Sequence, residues 1–81
     1  MAERELEELV LKCLSRNHPE IGDRPLDPEQ PFEDQFDFPP EGRQALAEAL
    51  GRELGLDISI AARSRLNSLT GWVRYLERSL S

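Results

Sequence analysis

Eighty-one residues, 38% of them hydrophobic and 32% charged, bound the chain to one small folded domain spanning 1–81; so short a chain buries only roughly 60% of its unfolded surface, which leaves no room for a catalytic cleft between lobes. The net charge of -6 is unevenly placed, because residues 1–41 carry twelve Asp and Glu against four Lys and Arg (-8) whereas residues 42–81 carry four against six (+2). An acidic surface repels phosphate backbones and the six C-terminal arginines are interleaved with acids, so nucleic acid is excluded as a partner and a basic protein surface is the better electrostatic match.

In "AERELEELVLKCLSRN" the apolar residues Leu6, Leu9, Val10, Cys13 and Leu14 recur at helical spacing, backed by Glu3, Glu5, Glu7 and Glu8 near the positive end of the helix dipole. This first helix is expected to stop at Asn17-His18, because Pro19 disfavours helical geometry in the residue before it. Charge from the third residue predicts no secretory signal, and no apolar run approaches a membrane span, so the chain reads as cytoplasmic. Cys13 is the only cysteine and reads as a small buried apolar residue. His18, the only histidine, reads as a capping or solvent-exposed residue at the helix's negative end.

From Pro19 to Phe38 the chain carries Pro19, Gly22, Pro25, Pro28 and Pro31 among acidic residues, which predicts a long, mostly ordered loop with a single turn of helix. Ile21, Leu26, Phe32, Phe36 and Phe38 are placed to pin that loop across a helical core. The second helix is expected to begin at Pro40 or Glu41 and to end at Leu54, with Gly55 as a left-handed cap and Leu46, Ala49, Leu50 and Leu54 facing inward. Leu56 and Ile58 then drop into the core. Ser59 caps a short third helix, "IAARSRL", and Asn67 or Ser68 caps a fourth, "LTGWVRYLERSL", with Leu69, Trp72, Val73, Leu76 and Leu80 at helical spacing. Trp72 reads as core and Tyr75 as partly exposed beside it. The fold class is therefore all-α, a small four-helix bundle with a long loop between its first two helices.

This layout, with "PFEDQFDF" before the second helix and Leu54-Gly55-Leu56-Asp57-Ile58 after it, resembles the acyl carrier proteins, the phosphopantetheine-binding carrier family. The similarity runs from Leu6 to Leu80 and is most specific from Phe32 to Leu76. In that family an Asp-Ser-Leu or Asp-Ser-Met triplet opens the second helix, and its serine carries the prosthetic arm. Matched without gaps from Gly55, this chain has Pro39-Pro40-Glu41 there. Proline has no hydroxyl, so the resemblance implies no phosphopantetheine at Pro40, and hence no cofactor. The acid that helps position the modifying enzyme becomes Pro39, and the apolar residue at the acyl entrance becomes Glu41. None of Ser15, Ser59, Ser64, Ser68, Ser79 and Ser81 follows an aspartate. The proline pair instead restricts the unfolded chain and pre-sets the helix start.

Family members usually meet partners through acidic second and third helices. Here Glu41, Glu48 and Glu53 are interleaved with Arg43 and Arg52, and Arg63 and Arg65 stand where acids or apolar residues are usual, so a different partner is expected. The candidate partner-binding residues are Asp37, Glu41, Arg43, Glu48, Arg52, Arg63 and Arg65, together with the acidic 23–41 loop. Glu33, Asp34 and Asp37 lack the spacing and glycine of a calcium loop and read as a solvated acidic stretch. Two function classes remain open. One is a monomeric, non-enzymatic interaction or regulatory module beside fatty-acid, polyketide or nonribosomal-peptide type enzymes. The other is a working carrier that holds an acyl group or lipid through an unexpected serine or noncovalently in the bundle interior. No constellation of residues supports a stand-alone enzyme, and no metal site is expected.

Overall fold

The computed structural model describes residues 2–21 and 26–80. Every regular element in them is helical: α1 (Glu3–Asn17), α2 (Pro40–Leu54), α3 (Ile60–Arg65) and α4 (Leu69–Leu80), with 3-10 turns at Pro19–Ile21 and Phe32–Asp34. Of the residues expected in the connecting loop, Gly22, Asp23, Arg24 and Pro25 lie outside the described residues. The described parts of that connection hold two helical turns rather than one. Each begins at or just after a proline, whose fixed φ suits a tight turn.

α1 has no side-chain N-cap, and Glu3 and Glu5 in its first turn complement the exposed N–H groups instead. Its inward stripe, Leu6, Val10, Cys13 and Leu14, is buried, and each such aliphatic side chain contributes roughly 1.5–3 kcal/mol by leaving water. α1 packs against both α2 and α4, while α3 packs against α2. Trp72, Phe32, Leu6, Leu14, Leu46, Leu50, Leu69 and Leu76 fill the space between them.

Helix punctuation follows the sequence. Pro40 is the first residue of α2, and Gly55 closes it in the left-handed region at φ 66°. Ser59 Oγ accepts from the Ala62 N–H at 3.1 Å, and Ser68 Oγ accepts from the Gly71 N–H at 3.1 Å, so α3 and α4 both open on hydroxyl caps. The inward face of α2 differs from expectation. Leu46 and Leu50 are buried, but Gly42 and Ala47 join them, while Ala49 and Leu54 are only partly buried. The helix is packed against both α1 and α3. Leu80, expected on the inward face of α4, is exposed at that helix's last residue.

His18 also departs from expectation: it is 7% exposed rather than solvated. Its backbone N–H does cap α1, donating to the Leu14 carbonyl at 2.8 Å. The turn at Pro19–Ile21 then carries the ring inward, where its centroid lies 5.2 Å from that of Phe36 and 5.5 Å from that of Phe38. The three phenylalanine rings stand 5.2 to 5.7 Å from one another, two of the three pairs edge-to-face, the arrangement aromatic quadrupoles favour. Four rings thus seal the floor beneath the start of α2.

Candidate functional site

Arg43, one turn into α2, joins three parts of the chain. Its Nη2 pairs with Glu33 Oε2 at 2.9 Å, its Nη1 donates to the Ser64 carbonyl at 3.4 Å, and its guanidinium carbon stands 5.9 Å from the centre of the Phe38 ring. The Glu33 pair is solvent-accessible and so contributes little energy, but it fixes where the guanidinium sits. With that side chain held, the space between the start of α2 and α3 forms an open groove of about 390 Å³ lined by Pro40, Arg43, Gln44, Ile60, Arg63 and Ser64. The groove wall is mixed: Pro40 and Ile60 supply carbon surface, and two guanidiniums supply positive charge. Nothing in it pairs a nucleophile with a base.

Each lining residue has a local reason to be there. Ser59 caps α3, so Ile60 becomes the helix's first residue; Ile60, Arg63 and Ser64 then share one face at i, i+3 and i+4. The opposite side of α3 carries Ala62, which is buried against the core. Arg63 is steadied by its Nε, which donates to the Ile58 carbonyl at 3.3 Å, and the Ser64 hydroxyl donates to the Ile60 carbonyl at 3.1 Å. Gln44 extends along α2 and donates from Nε2 to Glu48 at 3.2 Å.

No family model, curated protein or solved structure matches this chain. The carrier-family resemblance accordingly rests on residues and spacing in this sequence.

The candidate residues divide into two surfaces. Arg43 and Arg63 come together in the groove, beside Pro40. Glu41, Glu48 and Arg52 are exposed and, at spacings of seven and four, lie along the outer face of α2 instead. Asp37 is exposed in the loop before α2, and Arg65 is exposed at the end of α3; neither lines the groove. Pro39 precedes α2 as its extended N-cap residue, and its carbonyl accepts from Gly42 and Arg43. Glu33, read as part of a solvated acidic stretch, is instead engaged by Arg43. Sequence reasoning overlooked Ile60, Gln44 and Ser64. The signal was an apolar residue directly after a helix cap, off the face that carries Ala62.

Other reactive groups are accounted for by packing. Cys13 is 1% exposed, and burial, reinforced by the Glu53 charge, pushes its thiol pKa up, which makes it a poor nucleophile. His18 Nδ1 lies 3.4 Å from Glu20 Oε1, and its Nε2 is buried with no hydrogen-bond partner among the described residues. That nitrogen faces Gly42 across the helix start, where no substrate has access. Among the described residues, no helix is long and apolar enough to cross a membrane.

Proposed function

We propose that this chain is a carrier-protein-like binding module without a covalent arm, working by protein-protein contact at the α2–α3 groove. Its partners on this reading are enzymes of the fatty-acid, polyketide or nonribosomal-peptide type. The observation that carries the reading is the composition of the groove wall. Pro40, at the position where the resemblance puts the attachment hydroxyl, stands beside a solvent-exposed isoleucine and two arginines. A site stripped of its nucleophile but keeping an apolar, charged concavity suits recognition better than chemistry. The order of the helices, with α2 opening on Pro40 and closing on Gly55, supports the family resemblance in the same sense. The second reading, an acyl chain held within the bundle, draws no support from an interior filled by Trp72, Phe32 and leucines.

The test is intact-mass spectrometry after co-expression with a broad-specificity phosphopantetheinyl transferase and coenzyme A. The native chain is expected to keep its unmodified mass. A variant carrying Pro39→Asp, Pro40→Ser and Glu41→Leu is expected to gain one phosphopantetheine, because the resemblance then has its full triplet on the first turn of α2. Modification of the native chain would return it to the working carriers. Failure of the folded triple variant to accept the arm would remove the carrier family from the reading.

A further inference from the structure

Ile60 is 77% exposed, although Ile58 and Ala62, two residues to either side, are buried. It adds nothing to the core, and an isoleucine left in water costs solubility without stabilising the fold. It stands in the groove between Arg43 and Arg63, which are not equivalent. Arg43 is matched by Glu33 at 2.9 Å, whereas Arg63 has only the Ile58 carbonyl as a partner among the described residues. α3 carries Arg63 and Arg65 and no acidic residue. On a chain of net charge -6 this is a local reversal of sign: an apolar anchor point beside positive charge that the protein itself leaves largely uncompensated.

We infer that the groove takes an acidic amphipathic segment of another protein, with one large apolar side chain on Ile60 and a flanking carboxylate on Arg63. The inference rests on the reading of the groove as a protein-docking site, and it fixes the sign of the partner, opposite to what the acidic N-terminal half alone suggests. The guanidinium fork suits a carboxylate bidentately, and Arg63, already steadied through Nε, loses less freedom on pairing. A helix laid in a groove with apolar anchors and charged flanks is an established mode of recognition. An anionic membrane is the poorer occupant. It would meet a single isoleucine and be repelled by the -8 of residues 1–41.

The test is a display selection of random 16-residue peptides on the full chain, followed by affinity measurement of the enriched sequences. Enrichment of peptides with Asp or Glu flanking Leu, Ile or Phe is expected. Their affinity should fall at least tenfold on Ile60→Asp and on Arg63→Glu, fall less on Arg63→Lys, which keeps the charge and loses the fork, and weaken as salt rises. Ile60 is exposed and Arg63 half-buried, and unchanged melting curves will certify that the variants fold. Basic or uncharged peptides that still depend on Ile60 would overturn the inferred sign and leave the groove reading intact. No enrichment, or peptides indifferent to Ile60 and Arg63, would overturn both. A concentration-dependent dimer in sedimentation that disappears in Ile60→Asp would assign the groove to a second copy of the chain and overturn the acidic-segment occupant.

Discussion

Gly42 and His18 are 24 positions apart, and nothing in the sequence joins them, yet together they set the floor beneath α2. A β-carbon at position 42 would fall 2.9 Å from His18 Nε2 and 3.0 Å from Cε1. The ring has little freedom to retreat because Phe36 and Phe38 flank it. Two effects therefore oppose each other in Gly42→Ala: a helix-propensity gain of about 1 kcal/mol and an overpacking cost of about 1–3 kcal/mol. We expect the clash to win, with a net loss of about 1 kcal/mol in urea unfolding. In a His18→Ala background only the looser 3.3 Å approach of Phe38 Cδ1 remains, and the same substitution should stabilise by about 0.5 kcal/mol; the difference is the coupling between the two sites. A stabilising Gly42→Ala in the otherwise unaltered chain would show that the ring is not held where it stands. This contact was illegible beforehand because helical spacing identifies which residues face inward, and says nothing of which distant ring each one meets.

At the scale of the element, the ends were legible and the faces less so. Pro40, Gly55, Ser59 and Ser68 punctuate helices through bonds and dihedrals spanning four residues or fewer, so a local reading finds them. Gly55 gives the sharpest case. Its φ of 66° is unfavourable for residues with a β-carbon, while the space where that carbon would stand is empty to 4 Å. The cost of Gly55→Ala should accordingly be backbone strain alone, about 1 kcal/mol, with Gly55→Asn costing less because asparagine tolerates the left-handed region. A thermal-melting loss equivalent to more than about 2 kcal/mol for alanine would mean that α2 and the Leu56–Ile58 segment shift to accommodate it. Faces depend instead on neighbours. Ala47 is buried while Ala49 is only partly so on a helix that packs against both α1 and α3, and Ile60 is outside while Ile58 and Ala62 fill the core side of the same segment. The groove depends on that second arrangement, which is why the arginines on either side were nominated from sequence while the isoleucine between them was not.

On the scale of the whole molecule, the described parts of the connection between α1 and α2 belong to the core as much as the helices do. A loop merely tethered at its ends would leave its amides to water. Here the Phe32 N–H donates to the Asn67 carbonyl at 2.7 Å, the Thr70 N–H to the Pro28 carbonyl at 3.0 Å, and the Thr70 hydroxyl to Glu29 at 3.2 Å, so the loop is bonded to the start of α4. The Phe32 ring is fully buried, and the Cα radius of gyration of 11.5 Å is what scaling gives for a compact chain of this length, about 12 Å. The spaced phenylalanines made the pinning legible; its anchor on Asn67 and Thr70 was not, since it joins segments more than thirty residues apart. The consequence is cooperative unfolding. The Phe32 and Thr70 amides should exchange with solvent only as slowly as those of Leu50 and Trp72, because each requires the whole bundle to open. Phe32→Leu, which keeps apolar volume but loses two ring contacts, should cost about 1–1.5 kcal/mol and lower all four protections together. If the loop amides exchanged orders of magnitude faster than the helix amides, or if Phe32→Leu loosened the loop alone, the bundle would be stable without its connection. The floor under Pro40 and Arg43 would then be a movable flap, and the groove would lose the rigid wall on which selective docking depends.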